Sequence, residues 1–128
     1  MSAPQRIQRK RTKGYRLPPD AVYVGRPSRW GNPYRPVREA TGMWVPYDDN
    51  GVDYPGYGPS RTRERAMADC VRLFIEVEYE CGLLADRVDV TELAGHDLVC
   101  WCPLEDERGR RVPCHADVLL ELANAGDE

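Results

Sequence analysis

The chain has 128 residues, of which 41% are hydrophobic, 30% charged and 9% aromatic, and its formal net charge is −3. That is enough for one modest core and too little for two ordinary domains. No apolar run approaches the length of a membrane span, and the basic, polar first residues lack the apolar stretch of a secretory leader, so a cytoplasmic protein with no membrane partner is expected.

Residues 1–19 are polar and basic and close on Leu17-Pro18-Pro19, which predicts an arm with a short edge strand through Arg6-Ile7. Residues 1–38 hold ten Arg and Lys against one acid, Asp20, a local charge of +9, whereas the rest of the chain carries −12. Such a basic third is either an electrostatic footprint for phosphate-bearing ligands, nucleic acid included, or folds back on its own acidic remainder.

Residues 20–126 read as a single α/β domain. Ala21-Val22-Tyr23-Val24-Gly25 predicts a short buried strand. Residues 26–59 form a loop rich in Pro, Gly and aromatic residues, and its stretch 44–59 can hold a small hairpin turning on Asn50-Gly51. Ser60 or Thr62 caps a helix on which Met67, Cys70, Val71, Phe74, Val77, Cys81 and Leu84 make one apolar stripe ending near Gly82. On that stripe Cys70 and Cys81 would be buried core thiols, roughly 16 Å apart and beyond disulfide reach.

After Val88-Asp89-Val90 and a turn through Leu93-Ala94-Gly95, the run Asp97 to Cys102 predicts a second strand, stopped by Pro103. A charged loop follows. Pro113-Cys114-His115 then opens a last helix with Val118, Leu119 and Leu122 facing inward and residues 124–126 at its end. The order strand, long loop, helix, strand, helix predicts an α/β fold with a small, open, mainly parallel sheet and flanking helices. In such sheets the ligand crevice lies beyond the carboxyl ends of the strands.

Two clusters carry chemistry. Arg26, Arg29, Trp30, Asn32 and Tyr34 combine guanidinium groups for phosphate or carboxylate with rings that stack and a carboxamide that reads a polar edge. The alternative is a rigid loop whose Trp30 plugs the core. The second cluster is Cys100, Cys102, Cys114 and His115. Three thiols and an imidazole are the ligand set of a structural zinc site, although their spacing is irregular. The same residues also read as reactive chemistry, with Cys114 a nucleophile at a helix N-terminus assisted by His115 or Cys102, or as small buried filler.

Tyr23-Val24-Gly25-Arg26 with Trp30-Gly31-Asn32-Pro33-Tyr34, then Leu93 to Cys102, then Pro113-Cys114-His115 through Leu122, resemble the DUF4326 domain. That family, of unknown function, is found in bacteria and tailed phages, and the resemblance implies a protein working in bacterial or phage-infected host cytoplasm. The strand-Cys, loop, Cys-His-helix arrangement is also similar to DUF488, which implies an open parallel sheet with its cysteines at the carboxyl edge.

The leading expectation is binding of a nucleotide-like or nucleic-acid phosphate at that edge, with enzymatic action on nucleosides or bases as an extension that no motif fixes. The alternatives are a zinc-stabilised, non-enzymatic DNA- or RNA-binding module, and a phage protein that binds a host protein through the 44–59 loop.

Overall fold

The computed structural model describes residues 4–26 and 28–124. Along the chain lie β1 (Arg6–Gln8), β2 (Val22–Tyr23), β3 (Arg35–Arg38), β4 (Trp44–Tyr47), α1 (Arg63–Leu73), α2 (Leu83–Arg87), β5 (Leu98–Cys100) and α3 (His115–Asn124). Short 3-10 turns cover Pro55–Tyr57 and Val90–Leu93, and a π-helical turn covers Phe74–Tyr79. The chain divides into two compact units. One holds the residues up to Gly31 together with those from Arg87 onward, and the other is Asn32–Asp86.

The first unit is built on an open, wholly parallel sheet of order β1-β5-β2, consistent with an α/β architecture. Its central strand β5 is buried at all three residues, as expected of the continuous apolar run of a strand paired on both sides. Val99 stands in register with Ile7 on one side and Tyr23 on the other. Main-chain pairing continues past the strands' carboxyl ends, with Arg9 N donating to Cys100 O at 2.6 Å and Val24 N to Val99 O at 2.8 Å. Helix α3 packs on β5, β1 and the Val90–Leu93 turn, burying His115, Ala116, Leu119 and Ala123. Leu119 thus faces inward as expected, while Val118 and Leu122 are half-buried. Asn124 ends the described helix, and residues 125 and 126 lie outside the described residues.

The expected element order is incomplete. Arg6–Gln8 forms the edge strand expected through Arg6-Ile7, which the order omits, and the long segment between β2 and α1 contains a hairpin of its own. That hairpin is β3 with β4, antiparallel, with Pro36 opposite Pro46. It therefore precedes the Asn50-Gly51 turn, which is present but closes only the single bridge Tyr47 to Asp53. There Gly51 takes φ +78°, and Asp48 Oδ1 accepts from Asn50 N and Val52 N at 2.9 and 3.0 Å.

Thr62 caps α1, its Oγ1 accepting from Arg65 N at 3.2 Å. The second unit's core joins Tyr34, Cys70 and Leu73, with Tyr54, Tyr57 and Val77 packed against them. The single stripe expected on this helix does not persist. In the π turn Glu80 N reaches back five residues to Ile75 O at 2.9 Å, so one extra residue enters the turn and rotates everything beyond it. Glu78 is buried in consequence, and Cys81, expected in the core, is exposed.

Candidate functional site: thiols and arginines at the carboxyl edge

Strand β5 delivers Cys100 to the carboxyl edge of the sheet, and Cys102 follows two residues on. The intervening loop folds onto itself to return the chain. Asp106 N donates to Arg110 O at 2.8 Å, Asp106 Oδ1 accepts from Arg108 N and Arg110 N at 2.9 Å each, and Val112 N donates to Leu104 O at 3.0 Å. The turn thereby brings Cys114 back to the strand end. Cys100 Sγ and Cys114 Sγ lie 3.4 Å apart, and the sulfurs of Cys100, Cys102 and Cys114 all fall within 4.8 Å of one another. Such a group can hold a metal ion.

His115, at the first turn of α3, stands beside this set. Its Nε2 is 2.8 Å from Val24 O, a contact only a protonated nitrogen can make, which leaves Nδ1 as the acceptor 3.6 Å from Cys114 Sγ. Burial pushes the imidazole below its ordinary pKa. Among the three thiols, hydrogen bonds from Cys102 and then Cys114 draw Cys100 down to about 3, assisted by the positive charge of Arg6. The hydrogen bond to Cys100 holds Cys102 up at about 11, and Cys114 is also raised, first by its hydrogen bond to Cys100 and then by that to Cys102. The cluster therefore behaves as one unit that gives up a first proton readily and holds the others.

Arg6 is the residue the sequence reading undervalued. Its side chain is fully buried, with Nη1 on Asp117 Oδ2 at 2.8 Å and Nη2 on Pro103 O at 3.0 Å. Asp117 accepts a second arginine on its other oxygen, Arg111 Nη2 at 2.7 Å. A guanidinium in the strand beside β5 thus places a permanent charge near a thiol cluster that favours a thiolate. The signal was a cation at an inward position of a short strand, which composition alone assigns to solvent.

Above the thiols the edge is basic and aromatic. The Arg9 guanidinium lies 4.8 Å from the Tyr23 ring centroid and 5.0 Å from that of Trp101, and Arg11 lies 4.5 Å from Trp101. Tyr23 Oη donates to Arg26 O at 2.5 Å, folding its ring over Gly25, where an added Cβ would stand 2.5 Å from that oxygen. A side chain at Gly25 would require the Tyr23 ring to move.

The residues expected in the first cluster have different fates. Arg26 is exposed. Arg29 is also exposed but pairs with Glu92 at 2.7 Å and lies over the Trp30 ring at 4.8 Å, while Trp30 itself is buried. Asn32 and Tyr34 belong to the second unit. Asn32 Nδ2 donates to Cys70 O at 3.1 Å and its Oδ1 accepts from Tyr34 N at 2.9 Å, so both ends of the carboxamide are engaged with main chain. Tyr34 packs edge-on against Tyr54 at 5.3 Å, and burial, then the Glu78 carboxylate, raises its phenol.

Fold and site together define a small α/β protein with an open parallel sheet and a largely buried three-cysteine cluster at its carboxyl edge. A family model described as a domain of unknown function, DUF4326, matches residues 7–125, and the chain belongs to that family. No curated protein and no solved structure matches it.

Proposed function

We propose that the protein binds a nucleotide-like or nucleic-acid phosphate at the carboxyl edge of its three-stranded sheet, on a scaffold held by zinc. The observation that carries the reading is the convergence there of the Arg9 and Arg11 guanidinium groups with the rings of Tyr23 and Trp101. Among the described residues neither Arg9 nor Arg11 is in an ion pair, in contrast to Arg6, Arg29 and Arg111. Phosphate recognition needs such uncommitted guanidinium groups. Binding falls to Arg9 and Arg11 in this reading, with Asn32 and Tyr34 structural.

Zinc is supported by the closeness of the three sulfurs and by the burial of Cys100 and Cys114, with Cys102 half-buried, since structural zinc sites are closed. His115 would be the fourth ligand through Nδ1, oriented by the bond from Nε2 to Val24 O, as ligating histidines are oriented by a hydrogen bond on the far nitrogen. The burial of Cys114, 1% exposed, favours this role over that of a nucleophile, which a substrate must reach.

Titration of the full chain with nucleoside triphosphate and with a short oligonucleotide at several salt concentrations tests the phosphate reading. The expected result is binding that weakens steadily with salt and with Arg9→Ala. No binding of either ligand at low salt would overturn it. Elemental analysis before and after chelation tests the metal, with about one zinc per chain expected. A stable protein containing no zinc after growth in zinc-supplemented medium would remove that part of the reading.

A further inference from the structure

The carboxyl edge carries more than positive charge. Trp101 directly follows the fully buried strand β5, yet it is 37% exposed, the only tryptophan among the large hydrophobic side chains left in solvent within the described residues. Two guanidinium groups, those of Arg9 and Arg11, flank the ring without a carboxylate to neutralise them among the described residues. The same short segment continues through Lys10, Lys13 and Arg16, all exposed, with no acid between Arg9 and Arg16.

We infer that the Arg9, Trp101 and Arg11 ladder is a stacking platform for single-stranded nucleic acid, with the following basic residues tracking the phosphate backbone. The inference rests on the phosphate-binding reading and names its ligand. Unpaired bases offer their faces to an indole or a guanidinium plane, whereas a duplex keeps those faces inside its own stack. A purely electrostatic surface needs no exposed ring. Cation–π contact holds the two guanidinium groups against the indole, so the platform is ordered before a base arrives and less side-chain freedom is lost on binding. A strand of several nucleotides fits better than a mononucleotide, because five cations, Arg9, Lys10, Arg11, Lys13 and Arg16, are spread over the eight residues from Arg9 to Arg16.

The test measures affinity of the full chain for an oligothymidylate of about a dozen nucleotides, a length within the site sizes of single-strand binders. A duplex of equal length and free thymidine monophosphate serve as comparisons. Tighter binding of the single strand than of either comparison is expected. Trp101→Ala should weaken it roughly ten- to a hundred-fold while Trp101→Phe retains most of it, with duplex affinity unchanged in both. Unchanged thermal unfolding of the two variants excludes a folding defect. Equal or tighter duplex binding overturns the inference, as does indifference to Trp101→Ala, and both leave phosphate binding intact. Failure of all three ligands to bind overturns the phosphate reading as well.

Discussion

Arg6 and Asp117 are joined at 2.8 Å although 111 positions separate them in the sequence. The first described strand and the last helix are thereby tied by a charge pair whose arginine side chain has no solvent exposure. Removing the acid strands that guanidinium in the interior, where an unpaired charge costs far more than the pair itself contributes. Asp117→Ala should destabilise the protein by about 3 kcal/mol, read from the urea midpoint. Arg111→Ala removes only the exposed partner and should cost about 0.5 kcal/mol. Equal effects of the two changes would refute the assignment of Arg6 as the member that matters.

His115 sets an acid limit on stability. Burial lowers its folded pKa, so between that value and the unfolded value of about 6.5 the unfolded chain binds a proton that the native chain does not. Stability from this residue is complete above about pH 6.5 and falls as the pH drops below it. The melting temperature of the metal-free protein should therefore decline between pH 7 and pH 5, and His115→Gln should flatten that part of the profile. A variant whose profile keeps the native slope would show that another group titrates.

Gly25 lies beneath the Tyr23 ring, with room for no Cβ. Gly25→Ala should cost about 1–3 kcal/mol through displacement of the ring. In a Tyr23→Ala background the same change should be nearly neutral, giving a coupling energy in a double-mutant cycle. Additive effects would place the strain elsewhere.

Chelation provides a separate test of the thiol cluster. If zinc joins Cys100, Cys102 and Cys114, a strong chelator should lower the melting temperature and make the three thiols titratable with a thiol reagent. Restoring zinc should reverse both changes. Cys81, already exposed, should react at the same rate in either state, which makes it an internal reference.

Much of the first unit was legible in the sequence because its signals are local. The uninterrupted apolar run at Leu98–Cys100 marks a strand paired on both sides; in the second unit, Thr62 likewise sits where a helix cap belongs. The grouping of Cys100 and Cys102 with Cys114 followed from chemistry together with the direction of strand and helix. What escaped depends on partners distant in sequence. The edge strand through Arg6-Ile7 was legible, but the burial of Arg6 was not, because its partner Asp117 lies 111 positions away. Pro36 and Pro46 broke the alternation that would have announced the β3 and β4 hairpin. Arg29 looked available for an anion because Glu92, its partner, is 63 residues away. The exposure of Cys81 reflects a local accident of backbone pitch, the π turn, which no count of apolar spacing anticipates.

The pairing of β1 with β5 has a consequence for the order of events during synthesis. The second unit is continuous in the chain from Asn32 to Asp86, so it can become compact as soon as it leaves the ribosome. The first unit cannot, because Arg6–Gln8 must wait for Leu98–Cys100 before it has a neighbour. Closing a loop of that length carries an entropic cost of about 4 kcal/mol, and nothing offsets it until the central strand and α3 have emerged. Nascent chains halted with 32–86 outside the exit tunnel and Leu98–Cys100 still inside it should accordingly protect 32–86 from protease while the basic segment 9–16 is still cleaved, so the arginines of the edge stay accessible to polyanions, ribosomal RNA among them, until the central strand and α3 have emerged.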